Sequence, residues 1–128
     1  MTHKVAIGVL VSGSGSNLQS IIDHIGKGVL DAEIRIVISN RPDAFALERS
    51  RKHGIKTAVV EHREFASREL FDARMIEILN AGGVELVVMA GFMRVLSPVF
   101  FRAFPMRIMN IHPALLPAFP GMHVQRKA

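Results

Sequence analysis

"KVAIGVLVSGSGSNLQSIIDHIGKG", residues 4–28, decides the fold. Val5 to Val11 is an apolar run interrupted only by Gly8, which suits a β-strand buried on both faces. "SGSG" follows at once, and after it Leu18, Ile21, Ile22 and Ile25 recur at helical spacing until Gly26 and Gly28 stop the pattern. A strand, a glycine turn and an amphipathic helix in this order open a βαβ unit. Lys4 before an apolar stretch also resembles a signal peptide. The stretch is short, however, lacks a small-residue cleavage pattern and runs directly into a glycine loop, so it reads as a first strand.

The alternation continues along the chain. "EIRIVIS" (33–39), "KTAVV" (56–60), "VELVVMA" (84–90) and "RIMNI" (107–111) are further strand-like runs. Between them, 42–54 reads as a helix opened by Pro42 and Asp43 and closed by basic residues and Gly54. Residues 67–83 read as a helix capped by Ser67, with Leu70, Met75, Ile78 and Leu79 on its apolar side. A shorter helix is expected over 97–105. The pattern predicts one α/β domain over 1–128, an open and mainly parallel twisted sheet with flanking helices. A strand and a proline loop near the end should lead to further covering elements, so C-terminal elements are expected to be missing.

Composition narrows the function. The 128 residues are 49% hydrophobic and 21% charged, ordinary for a globular domain. No apolar run is long enough to span a bilayer, so no membrane role is expected. Without cysteine there are no disulfides or thiolate metal ligands, and a reducing compartment such as the cytoplasm is permitted. A net charge of +5 favours anionic partners, among them phosphorylated metabolites and polyglutamates. The chain has no Tyr or Trp to stack on bases, and its basic residues are scattered apart from 49–56, so nucleic acid is not an expected partner. The six histidines are dispersed, and no metal site is expected.

Three stretches carry chemistry, each placed just after a strand. "SGSGSNL" (12–18) joins glycines to a helix start, which suits one phosphate better than a dinucleotide because the third glycine of the dinucleotide pattern is absent. The bland alternative is a tight turn capped by Ser or Asn. "GFMRVLS" (91–97) offers apolar Met93 and Leu96 beside the cation Arg94, unless the first two are core and the third a surface charge. "NIHP" (110–113) sets Asn110 and His112 on one side of a strand end, since side chains alternate with period two. An amide that steadies an oxyanion beside an imidazole that moves a proton suits acyl transfer.

Together "SGSGSNLQSIID", "SNRPDAFALERSRKHGI", "AGFMRVLSP" and "NIHPALLPAFPG" resemble the glycinamide ribonucleotide formyltransferase family, in order and with its spacing from residue 4 to the last. The resemblance implies a Rossmann-like formyltransferase fold and a cytoplasmic enzyme of purine biosynthesis. It would transfer a formyl group from 10-formyltetrahydrofolate, a co-substrate, to glycinamide ribonucleotide, and a homodimer stays open. Gly15, Ser16 and Asn17 would hold the substrate phosphate. Arg68, Met93, Arg94, Val95, Leu96 and Asn110 would border the folate, and Asn110 and His112 would be catalytic. Ala114 stands where the family usually has Ser. The family continues past this chain's end with a catalytic aspartate, so residues 1–128 alone are expected to be inactive. Related deformylases and methionyl-tRNA formyltransferases share the Asn–His pair, and a non-catalytic phosphate-binding fragment is a further alternative. A cis Leu116–Pro117 bond is also expected.

Overall fold

The computed structural model describes residues 4–111. The elements in chain order are β1 (Val5–Val11), α1 (Ser16–Gly26), β2 (Ala32–Ser39), α2 (Phe45–Lys52) and β3 (Thr57–Val59). They continue with α3 (Arg68–Ala81), β4 (Leu86–Ala90), α4 (Pro98–Ala103) and β5 (Ile108–Ile111). A single 3-10 turn, His62–Glu64, precedes α3. The strands form one five-stranded parallel sheet in the order β3-β2-β1-β4-β5. His112 and the Leu116–Pro117 bond lie outside the described residues.

Alternation along β1 sorts its side chains onto two cores. Leu10 joins Phe71, Met75 and Leu79 of α3 and Phe100 of α4. Ile7, Val9 and Val11 join Leu18 and Ile21 of α1 and Ala46 of α2 on the opposite face. Helices therefore cover both faces, and this is why the central strands β1 and β4 are apolar throughout rather than alternately. Gly8 is the exception the packing demands. A Cβ there would lie 2.4 Å from Leu79 Cδ2, so the bare backbone of β1 receives the end of a leucine. Farther along the α1 face, Ile7, Ile21, Leu86, Val88, Met109 and Ile111 border an apolar hollow of about 200 Å³.

Two local expectations are corrected. The second helix begins at Phe45, not at Pro42. The Ser39 hydroxyl donates to the Arg41 carbonyl at 2.7 Å and accepts from its N–H at 3.0 Å, and this holds the segment in a turn. The Arg41 guanidinium engages Asp43 at 3.3 Å, so the aspartate serves the turn and not a helix end. That hydrogen bond, aided by the charge of Arg41, keeps the Asp43 carboxyl below the usual aspartate range. In α3, Ser67 caps as expected by accepting from Leu70 N–H at 3.2 Å. Leu70 itself is 53% exposed. The buried stripe is Phe71, Asp72, Met75 and Leu79, a spacing of three and four that leaves position 70 on the flank.

Gly8→Val should destabilise the fold by about 1–3 kcal/mol through overpacking. Urea titration of the single variants and of Gly8→Val with Leu79→Ala checks it. The paired cost should fall short of the sum, because the second change removes the obstructed group.

Candidate active site

Sheet order reverses at β1: the chain moves outward through β2 and β3, then returns across β1 to build β4 and β5. At such a switch point the loops leaving the two central strands diverge, and a crevice opens at their carboxyl ends. Neighbouring strands run about 4.8 Å apart, so the ends of β1, β4 and β5 fall within about 10 Å of one another.

The loop after β1 is shaped by its contacts with α2. Ala46 N–H donates to the Gly13 carbonyl at 3.0 Å, and Arg49 Nε donates to the Ser14 carbonyl at 2.8 Å. In a trans peptide the N–H points opposite to the carbonyl, so Ser14 and Gly15 present their N–H groups away from α2. Gly15 is the residue before α1, with φ 81° and ψ 22°, and no side chain caps the helix. The first-turn N–H groups are thus left as donors at the positive end of the helix dipole. A Cβ on Gly15 would meet Ala46 Cα at 2.7 Å, so only glycine permits the approach. Ser16 is exposed, whereas Asn17 is 3% exposed and its Oδ1 finds no hydrogen-bond partner among the described residues.

The loop after β4 is held at both ends by buried oxygens. Met93 N–H donates to Ser12 Oγ at 2.7 Å. At the far end Ser97 gives both its N–H, at 2.6 Å, and its hydroxyl, at 2.7 Å, to Asp72 Oδ2. Between these anchors Met93 and Val95 are 79% and 70% exposed. Arg94 is half-buried, with its guanidinium 6.0 Å from the centre of the Phe71 ring. Leu96 differs from its loop neighbours: it is buried in the α3–α4 core and supports the loop from beneath.

Asn110 stands opposite Met89 in the β4–β5 register, and Met89 stands opposite Leu10 of β1. Arg68 is exposed on the first turn of α3, three residues before the Phe71 whose ring lies near the Arg94 guanidinium. The sheet therefore brings the glycine loop, the 91–97 loop and Asn110 to one edge. A groove of about 550 Å³ beside it is bordered by Arg41, Asp43, Glu61 and Arg63. Its arginines are already paired with its carboxylates, which leaves little net charge for an anion. Sequence reasoning overlooked Ser12, Arg49 and Asp72. A signal for the last existed, since Asp72, Met75 and Leu79 share one helical stripe and a charge on a buried stripe needs a partner.

This combination of a doubly wound sheet, an uncapped helix start at its switch point and an amide-bearing strand end defines a class. The chain belongs to the formyl transferase family, whose model matches residues 4–128. It is 47% identical over 120 residues to the phosphoribosylglycinamide formyltransferase of Escherichia coli K12, covering 94% of this chain and 57% of that protein. The Drosophila melanogaster trifunctional purine biosynthetic protein adenosine-3 is also 47% identical, over 98% of this chain and 10% of its own length. Among solved structures, glycinamide ribonucleotide transformylase 1 of Symbiobacterium toebii superposes with a TM-score of 0.85 at 48% identity. All of this chain and 60% of that one are covered. The expected sheet and the expected resemblance both hold.

Gly15→Ala should lose about 1–3 kcal/mol, because alanine is strained at positive φ, and should also push α1 away from α2. Thermal melts measure the first effect. Amide chemical shifts along α1 and α2 measure the second, and shifts identical to wild type would show that Gly15 does not set the approach of the two helices.

Proposed function

We propose that this chain carries the substrate-binding edge of an enzyme that moves a formyl group from 10-formyltetrahydrofolate to the amine of glycinamide ribonucleotide. The observation that carries the reading is the meeting, at one sheet edge, of an uncapped helix start, an apolar loop with a cation, and Asn110. The relatives named for this reaction support it.

The chemistry of each part fits its ligand. A phosphate needs several N–H donors and a positive field, which Ser14, Gly15 and the first turn of α1 offer, with the Ser16 hydroxyl beside them. Asn17 contributes through its backbone, because its side chain is buried. A pterin ring with an anionic tail needs a flat apolar contact flanked by positive charge. Exposed Met93 and Val95 suit the ring, Arg94 and Arg68 suit the carboxylates, and Leu96 backs the loop.

In the reaction the ribonucleotide amine attacks the formyl carbon, and the carbonyl oxygen takes the negative charge. The Asn110 amide donates to that oxygen. His112 hands a proton to the departing folate nitrogen as its bond to carbon breaks, and the amine gives up a proton, leaving a formamide and tetrahydrofolate. The small-molecule substrates, a cytoplasmic setting and the inactivity of residues 1–128 by themselves belong to the same proposal.

In the natural full-length polypeptide, His112→Ala should lower turnover about 10²–10⁴-fold, and Asn110→Ala about 10²–10³-fold. Ribonucleotide affinity should change little in either. Steady-state kinetics with calorimetric binding decides the matter, and near-normal kcat in both variants would refute the assignment. Residues 1–128 expressed alone should bind a phosphorylated ligand weakly without formyl transfer.

A further inference from the structure

Ser12 is the first residue beyond β1 and opens the 12–18 stretch, but it is 2% exposed and its side chain is not among those proposed to touch a ligand. Its hydroxyl has two partners. It donates to Asn40 Oδ1, just beyond β2, at 2.6 Å, and accepts from Met93 N–H, in the loop after β4, at 2.7 Å. The same residue runs directly into Gly13, whose carbonyl is held by α2. One buried oxygen thus ties the glycine loop to the 91–97 loop across the switch point. Asn40 fixes the direction of its proton, so that its lone pair faces Met93.

We infer that Ser12 is a positioning residue that couples the two ligand loops, so that an anion seated on the glycine loop raises affinity at the 91–97 loop. This rests on the proposed formyl transfer for the identity of the ligands. The physical basis is that both loops share one hydrogen-bonding atom. The two bonds of the Ser12 hydroxyl polarise one another, so a ligand that draws on one loop alters the anchor of the other, and the second ligand then meets a loop whose anchor has already adjusted. Coupling of this kind commonly amounts to about 5- to 150-fold in affinity and is reciprocal.

The test uses the natural full-length polypeptide and an unreactive pair, tetrahydrofolate and glycinamide ribonucleotide. The tetrahydrofolate dissociation constant is measured by calorimetry with and without the ribonucleotide. Wild type should bind it at least about fivefold more tightly in the ternary complex. Ser12→Ala should bring that ratio close to one and raise the KM of the formyl donor more than it lowers kcat. Ser12→Thr keeps the hydroxyl and should keep the ratio. Asn40→Ala, which frees the proton of Ser12, should lower it in part. If Ser12→Ala does not fold, the last two variants decide. A wild-type ratio of one, or an undiminished ratio in folded Ser12→Ala or, failing that, in Asn40→Ala, overturns the coupling. Absence of formyl transfer by wild type would instead count against the proposed function.

Discussion

β1 is hydrogen-bonded along both edges, to β2 from Val5 to Val11 and to β4 from Ile7 to Leu10. The first strand of the chain is therefore the middle strand of the sheet, and the remaining architecture follows from this. Two strands must be laid on one side and the chain must then return to lay two on the other. The return sends the connections that leave β1 and β4 to opposite faces of the sheet, the arrangement in which open α/β sheets form a crevice at the strand ends. It also requires β1 to be covered above and below, so its side chains serve two cores at once. Gly8 is the concession that lets α3 lie close.

Buried polar groups sit where the apolar core reaches the carboxyl edge. Ser12, Asn40, Asp72 and Ser97 are all buried, and in each of the four bonds among or through them an oxygen receives a hydrogen that would otherwise lose water for nothing. An unmade hydrogen bond in such surroundings costs about 1–3 kcal/mol, which is a large part of a small domain's stability. These residues therefore hold loop backbones in place. What the held loop presents is of the opposite character. Met93 and Val95 expose apolar surface on a backbone anchored at both ends, an arrangement that gains nothing for folding and suits a surface kept for a ligand.

The glycine loop shows a similar division of labour. Ala46 and Arg49 take two carbonyls of the glycine loop, which turns the adjoining N–H groups outward. Arg49 acts here through an uncharged oxygen. It also lies 5.0 Å over the Phe45 ring, which helps to fix its position. A cation that a sequence reader assigns to solvent is therefore part of the framework beneath the loop. Conversely Asn17, which reads as a donor to phosphate, is folded inward.

Most of the sheet was legible from residues 4–111, because apolar runs, glycine stops and helical spacing are local properties. The strands at 5–11, 32–39 and 86–90 and the helix beginning beside Ser67 all follow from short-range patterns. Local patterns also put the glycine loop and Arg94 after strands and Asn110 at the end of one, and so at one edge once the strands are parallel. Other features depend on partners distant in sequence. Leu70 is exposed although its spacing put it on the apolar side, and of the two readings open for Leu96 the core one holds, because α3 and α4 choose which faces meet. Ser12 needed Asn40 and Met93, and Asp72 needed Ser97, at separations of 25 to 81 residues. A hydroxyl or a carboxylate has many candidate partners along a chain. Only the packed sheet brings one of them to within 3 Å and buries the pair, and so only the tertiary structure decided which polar residues hold the edge together.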